Sequence, residues 1–209
     1  MVKKRIIKVF CIMIIALVLF STSAFAAEHF KAFASQSAIS DAGSWGRDTM
    51  ALMVDVMQTL GYNNYYGTNR YHTTSSKQDV LNYINMTGNN YGFAVLAHGS
   101  TTYFSMGDSN QRITTNDISG TWHLVLLNSC HTCINNAFGV AFNTVGYDNR
   151  LIIGFYDEVT FSEAYYFWRT VSEMAGTTNL DTIVCFADDL TLAPGVLWGD
   201  LSWDGYAWN

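Results

Sequence analysis

Proline is nearly missing from this sequence: Pro194 is the only one in 209 residues. That excludes a Pro-rich linker. Positive charge is scarce too, with 11 Lys and Arg against 17 Asp and Glu, a net of −6. Four of those cations, Lys3, Lys4, Arg5 and Lys8, fall within the first 26 residues; without them the balance is seven against seventeen, net −10. A surface that acidic is unsuited to nucleic acid or to an anionic membrane, both of which reward Lys and Arg. Charge of either sign amounts to 13% of residues while aromatics reach 15%, a balance that suits a well-filled globular domain and not a disordered chain. No internal repeat is visible. Beyond Val9 to Phe20 no apolar run approaches membrane-spanning length, and that one is itself short for a spanning helix.

What the first 26 residues do contain is the pattern of a secretory leader: a basic start, the apolar run, and Ala24-Phe25-Ala26 as a small-x-small cleavage site. Export with cleavage after Ala26 is predicted, leaving 27–209 as one domain with a single core. Three cysteines then remain, Cys130, Cys133 and Cys185. An odd number leaves at least one thiol unpaired outside the cell, so a disulfide framework is not expected and a free thiol needs a reason.

The chain alternates short apolar runs with amphipathic stretches. His29-Phe30-Lys31-Ala32-Phe33 alternates like an edge strand and leads into a Ser-rich connection. Ser44 to Leu60 carries Met50, Met53, Val54 and Met57 at helical spacing, and Ser76 with Asp79 marks the start of a second helix. Phe93 to Ala97, Leu124 to Leu127 and Leu151 to Phe155 are continuous apolar runs, as in strands buried on both faces of a parallel sheet. A small β-hairpin is predicted over Tyr103 to Ile113, outside that sheet. Helices are predicted over Ile134 to Val145, Phe161 to Met174 and Asn179 to Asp188, the last enclosing Cys185 as inert core, and Val196 to Asp200 closes the sheet. This rhythm predicts an α/β three-layer sandwich with a mainly parallel central sheet.

Two of the apolar runs stop at a chemically active side chain: Ala94-Val95-Leu96-Ala97 at His98, and Leu124-Val125-Leu126-Leu127-Asn128-Ser129 at Cys130. In open parallel sheets the ligand crevice lies beyond the carboxyl ends of the strands, so neighbouring strands would bring thiol and imidazole together there. Such a pair suits acyl transfer, with Cys130 as nucleophile and His98 protonating the leaving amine. A helix starting near His131 to Ile134 is expected to aim its N-terminal amides at the sulfur. The N–H groups of Gly99 and Cys130 are the expected oxyanion donors, with glycine allowing close approach to the main chain.

An apolar strand ending in His98-Gly99-Ser100, an accessory hairpin, Thr114-Thr115-Asn116-Asp117-Ile118, then a strand ending in Ser129-Cys130 resembles the caspase-like cysteine peptidase superfamily, which includes caspases, gingipains, clostripain, legumain and CHAT domains. Leu151 to Phe155 followed by Asp157-Glu158-Val159, and Leu197-Trp198-Gly199-Asp200, continue the likeness over Phe93 to Asp200. The resemblance implies a cysteine endopeptidase acting on peptide or protein substrates without a cofactor or metal, and the leader pattern implies that it is secreted. Its dyad would be His98 and Cys130, with Gly99, Asn128, Asp157 and Glu158 around the oxyanion and substrate. Members that cleave after basic residues often carry Asp two positions before the cysteine, where Asn128 stands here.

Three other readings stay open on the residues. Cys130-His131-Thr132-Cys133 is a C-x-x-C at a strand end, as in thiol–disulfide oxidoreductases. A site of that type needs a cis-proline facing the pair, and Pro194 lies far along the chain. Zinc on Cys130, Cys133 and His131 or His98 would lack a second ligand pair. A caspase-like module without turnover could bind peptides or glycans through its aromatics.

Overall fold

Backbone hydrogen bonding gathers the apolar runs into one sheet. The computed structural model describes residues 28–65, 69–85 and 91–202; the expected leader lies outside them. In chain order the elements are β1 (His29–Ser35), α1 (Gln36–Ala42), α2 (Ser44–Thr59), β2 (Asn63–Asn64), β3 (His72–Thr74), α3 (Lys77–Ile84), β4 (Gly92–Leu96) and β5 (His98–Ser100). There follow β6 (Tyr103–Ser105), β7 (Arg112–Thr114), β8 (Leu124–Asn128), α4 (Ala137–Ala141), β9 (Leu151–Phe155), α5 (Phe161–Met174), α6 (Leu180–Thr191) and β10 (Gly195–Gly199). The main sheet runs β10-β9-β8-β4-β1-β2, with β3 also on β1. All its neighbours are parallel except β10, which closes one edge antiparallel to β9.

Alternation of side chains sorts the core into two halves. Phe30, Ala32, Ala94, Leu96, Leu124, Leu126, Leu151 and Ile153 face α2, α5 and α6, where Met50, Met53, Phe167, Trp168 and Ile183 meet them. Phe33, Phe93, Val95, Val125, Leu127 and Ile152 face the other way, onto Val80 and Ile84 of α3, Phe138 and Phe142 around α4, and the small sheet. Both faces of the strands are buried, which is why they read as unbroken apolar runs. The result is the three-layer α/β sandwich that the alternation predicts. Among the described residues no helix is long and apolar enough to cross a membrane.

The helices begin where side-chain caps satisfy their first amides. Ser76 accepts from the Asp79 amide, Asn179 from that of Thr182, and Thr160 with Glu163 forms a reciprocal capping box at α5. Amide and hydroxyl hydrogen bonds from Thr160 hold the Glu163 carboxyl below its usual range.

Three expectations need correction. β1 is no edge strand: β4 lies on one side of it and β2 and β3 on the other. Its alternation comes from Lys31, whose ammonium lies over the rings of Tyr65 and Tyr83 while neighbouring residues go inward. The helix expected over 134–145 shrinks to the five residues of α4. Cys185 is exposed, because helical geometry turns Ile183, Val184 and Ala187 inward and leaves 185 and 186 outside.

The hairpin is a three-stranded antiparallel sheet, β5-β6-β7, in which His98 itself is the first paired residue. Asp117 ties it to α3. One oxygen, Oδ2, accepts from the Thr114 amide and hydroxyl and from Lys77 Nζ, each at 2.8 Å. Burial opposes ionisation here, but these donors outweigh it and hold the Asp117 carboxyl below its usual range. A carboxyl lowered on folding stabilises above its unfolded value, near pH 4, and ceases to do so as pH falls through its folded value. Asp117→Asn is therefore expected to lower unfolding free energy by about 1–2 kcal/mol at pH 7, with the gap to wild type closing as urea titrations are repeated below pH 4.

Candidate functional site

The parallel pairing of β4 with β8 sets Leu96 opposite Asn128, and the Ala97 amide donates to the Asn128 carbonyl at 3.1 Å. His98 and Cys130 each lie two residues beyond that matched pair. They leave the same end of adjacent strands, about 5 Å apart in the hydrogen-bonding direction, and both line one cleft. The two run endings thus lie on neighbouring strands and open into the same cleft.

Close packing of the two exits depends on Gly99. A Cβ there would fall 1.8 Å from Ser129 Oγ and 3.2 Å from the Cys130 carbonyl oxygen, so any side chain would force the two loops apart. Ser129 is 2% exposed and its hydroxyl has no hydrogen-bond partner among the described residues.

Beyond Cys130 the chain turns and does not start a helix. His131 is left-handed, with φ 57°, and Thr132 Oγ1 donates back to the Ser129 carbonyl at 2.9 Å. The His131 amide bonds the Asp157 carbonyl and the Cys133 amide that of Phe155, so the turn is clamped onto the loop after β9. The expected helix N-terminus at the sulfur is absent: α4 begins only at Ala137. The side chains of Thr132 and Asn135 bond locally here, Thr132 donating to the Ser129 carbonyl and Asn135 accepting from the Ala137 amide. The Cys130 thiol is directed at the Val159 carbonyl, Sγ to O 3.7 Å.

Cys133 points the opposite way, into the sheet. Its sulfur lies 2.6 Å from where a Gly154 Cβ would stand, so the glycine in β9 provides its seat. Burial pushes its thiol pKa up to about 12, with only slight relief from the Thr132 hydroxyl. The geometry therefore separates the C-x-x-C pair into one cleft-facing thiol and one sealed thiol, with every described peptide bond trans. Among the described residues no group of three or more His, Cys, Asp or Glu side chains is arranged to hold a metal ion.

His98 is half exposed and held from two sides. Its Nε2 lies 2.8 Å from Asp41 Oδ2, and Phe161 meets the ring edge-on at a centroid distance of 6.0 Å. With Nε2 engaged, Nδ1 is the nitrogen available for proton exchange. Asp41 was not among the expected site residues: it sits near the end of α1, in the segment that reads as a Ser-rich connection. The only local signal was Ser35, which caps α1 through the Ala38 amide.

The cleft has two lobes sharing His98, Cys130, Val159 and Thr160. One, of about 320 Å³, is completed by Ala97, Asn128, Ser129, Phe161 and Ala164. The other, of about 290 Å³, is completed by Gly99, His131 and Glu158. Asn128 is 4% exposed and its Oδ1 accepts from Trp168 Nε1 at 2.8 Å, so it forms the floor of the first lobe. Glu158 stands exposed on the rim of the second, 3.9 Å from His131 Nε2. Asp157 lines neither lobe; its Oδ1 caps the Glu158 amide and lies 3.7 Å from His131 Nδ1. A larger cavity, about 410 Å³, opens elsewhere, between α5 and α6.

A mainly parallel sheet between helical layers, with a small separate sheet beside its carboxyl end, is the caspase-like fold. Solved structures of gingipains share it. The complex of the pro- and mature domains of RgpB from Porphyromonas gingivalis matches 84% of this chain at a TM-score of 0.56 and 12% identity. The Arg-specific cysteine proteinase gingipain R matches 84% at 0.51 and 11%. The likeness is one of fold, and this chain spans about half the length of either, 48% and 47%. No protein-family model and no curated protein matches the sequence.

The contrast between the two thiols is directly measurable. Iodoacetamide at pH 8 is expected to modify Cys130 and Cys185 in the folded protein and to spare Cys133 until denaturant is added, as read by peptide mass spectrometry. Alkylation of Cys133 at a rate comparable to that of Cys130 would contradict this geometry.

Proposed function

We propose that this protein is a cysteine endopeptidase in which Cys130 is the nucleophile and His98 its proton-transfer partner. The observation that carries the reading is the matched exit of both residues from β4 and β8 into one cleft, beneath which Gly99 lets the loops touch. The gingipain-like fold supports it.

In this reading Cys130 Sγ adds to the carbonyl carbon of the scissile bond as its proton passes to His98. The carbonyl oxygen, now carrying the charge, is held by the N–H groups of Gly99 and Cys130. The imidazolium returns the proton to the departing amine as the C–N bond breaks, leaving a thioester. Water then attacks the thioester, giving its proton to His98; the acid leaves and the thiol is restored. Asp41 is a positioning residue: its carboxylate fixes the ring and steadies the imidazolium between the two steps. Substrate peptides lie across the two lobes, with Glu158 at the outer rim. Residues 1–26 act as a leader removed on export, and 27–209 form a single catalytic domain.

A peptidyl acyloxymethyl ketone tests the pair, since the thiolate displaces the acyloxy group as carboxylate and forms a thioether. Labelling is expected at Cys130 alone, slowed about 10²- to 10⁴-fold in His98→Ala and by an intermediate factor in Asp41→Asn. Equal labelling of wild type and His98→Ala would refute the dyad.

A further inference from the structure

The first lobe states what side chain it takes. Its wall is Ala97, Val159, Phe161 and Ala164, and its floor is Asn128 with the buried Ser129, whose uncharged hydroxyl has no partner among the described residues. Among these, Ala97 and Ala164 are small and buried, leaving the volume open, and Phe161 presents a ring on the side that faces His98.

The neighbouring carboxylates are already committed. Asp41 is engaged by His98, and Glu163 closes the capping box on the Thr160 amide at 2.8 Å. Asn128 Oδ1 is bonded to Trp168, and Thr160 Oγ1 to the Glu163 amide. Among the described lining residues, His98 is the only one with a titratable side chain besides Cys130 itself. A guanidinium entering here would lose hydration without meeting a carboxylate, and an entering carboxylate would find only His98, whose Nε2 is already engaged by Asp41. An aliphatic or aromatic side chain would replace water against apolar walls.

We propose that this lobe is the primary specificity pocket and accepts an uncharged apolar side chain of leucine or phenylalanine size, so that the enzyme cleaves after such residues, with Ala164 and Phe161 setting the size limit. The inference rests on the peptidase reading above and names its substrate class. It also separates this protein from the Arg specificity carried in the name of one structural neighbour.

Peptidyl acyloxymethyl ketones that differ only in the residue adjoining the ketone, Leu, Phe, Ala, Asp or Arg, give the test on the intact protein. The Leu and Phe reagents are expected to label Cys130 at least about tenfold faster than the others. Ala164→Met fills the lobe and is expected to reduce the Leu-to-Ala rate ratio about tenfold; Phe161→Ala widens it and should raise the Phe-to-Leu ratio. Ratios are used because a general change in reactivity leaves them unmoved. Fastest labelling by the Arg or Asp reagent, still dependent on His98, would overturn the specificity and leave the dyad standing. Ratios unchanged in both variants would remove this lobe as the pocket. Labelling by every reagent that is indifferent to His98→Ala would overturn the dyad and the specificity together.

Discussion

The register of β4 against β8 is the constraint from which the cleft follows. Matching Leu96 with Asn128 fixes where each strand ends, and the next two residues on either chain carry the imidazole and the thiol. A one-residue slip would invert the faces of Phe93, Val95, Val125 and Leu127, which pack against Phe104, Trp122 and Phe142. Because both faces of these strands are buried, the core itself enforces the alignment. The geometry of the candidate site is thus inherited from packing, and at Gly99 the inheritance needs a missing side chain.

Around this pair the surrounding elements divide their tasks. From the face of α2, α5 and α6 come Trp168, which bonds the Asn128 side chain, and Phe161 and Ala164, which wall the first lobe. α1 brings Asp41 to the histidine, and the loop after β9 brings Val159 to the thiol. The capping box of Thr160 and Glu163 fixes where α5 begins, and hence where Phe161 meets the His98 ring. The opposite face contributes through the small sheet: its aromatic packing and the Asp117 anchor hold β5, which carries His98 and Gly99.

Much of this was legible in the sequence. Doubly buried strands leave an unbroken apolar run, and a reactive residue at its end stands out against it, so the placement of His98 and Cys130 just past neighbouring strand ends could be read along with the parallel sheet. α5 was also legible end to end, since Phe161 to Met174 keeps its apolar spacing throughout. What was not legible depended on partners distant in the chain. β1 reads as an edge because Lys31 interrupts it, yet Tyr65 and Tyr83 receive that side chain. Asp41 lies in a seven-residue helix whose cap, Ser35, also donates to the carbonyl of Met106, 71 positions away. The turn at His131 defeated the expectation of a helix because Thr132 and the Phe155 and Asp157 carbonyls satisfy its backbone first. The roles of Cys130 and Cys133 could not be separated by spacing; they differ by which way a turn clamped to β9 points each sulfur.

The most direct test of the central claim is a crystal structure of the protein trapped with a peptidyl acyloxymethyl ketone. The account requires a thioether to Cys130 Sγ, the ketone oxygen on the N–H groups of Gly99 and Cys130, the His98 ring still joined to Asp41, and the adjoining side chain in the lobe of Val159, Phe161 and Ala164. An adduct on another thiol, or a ketone oxygen turned to solvent with His98 swung out of reach of the sulfur, would contradict it.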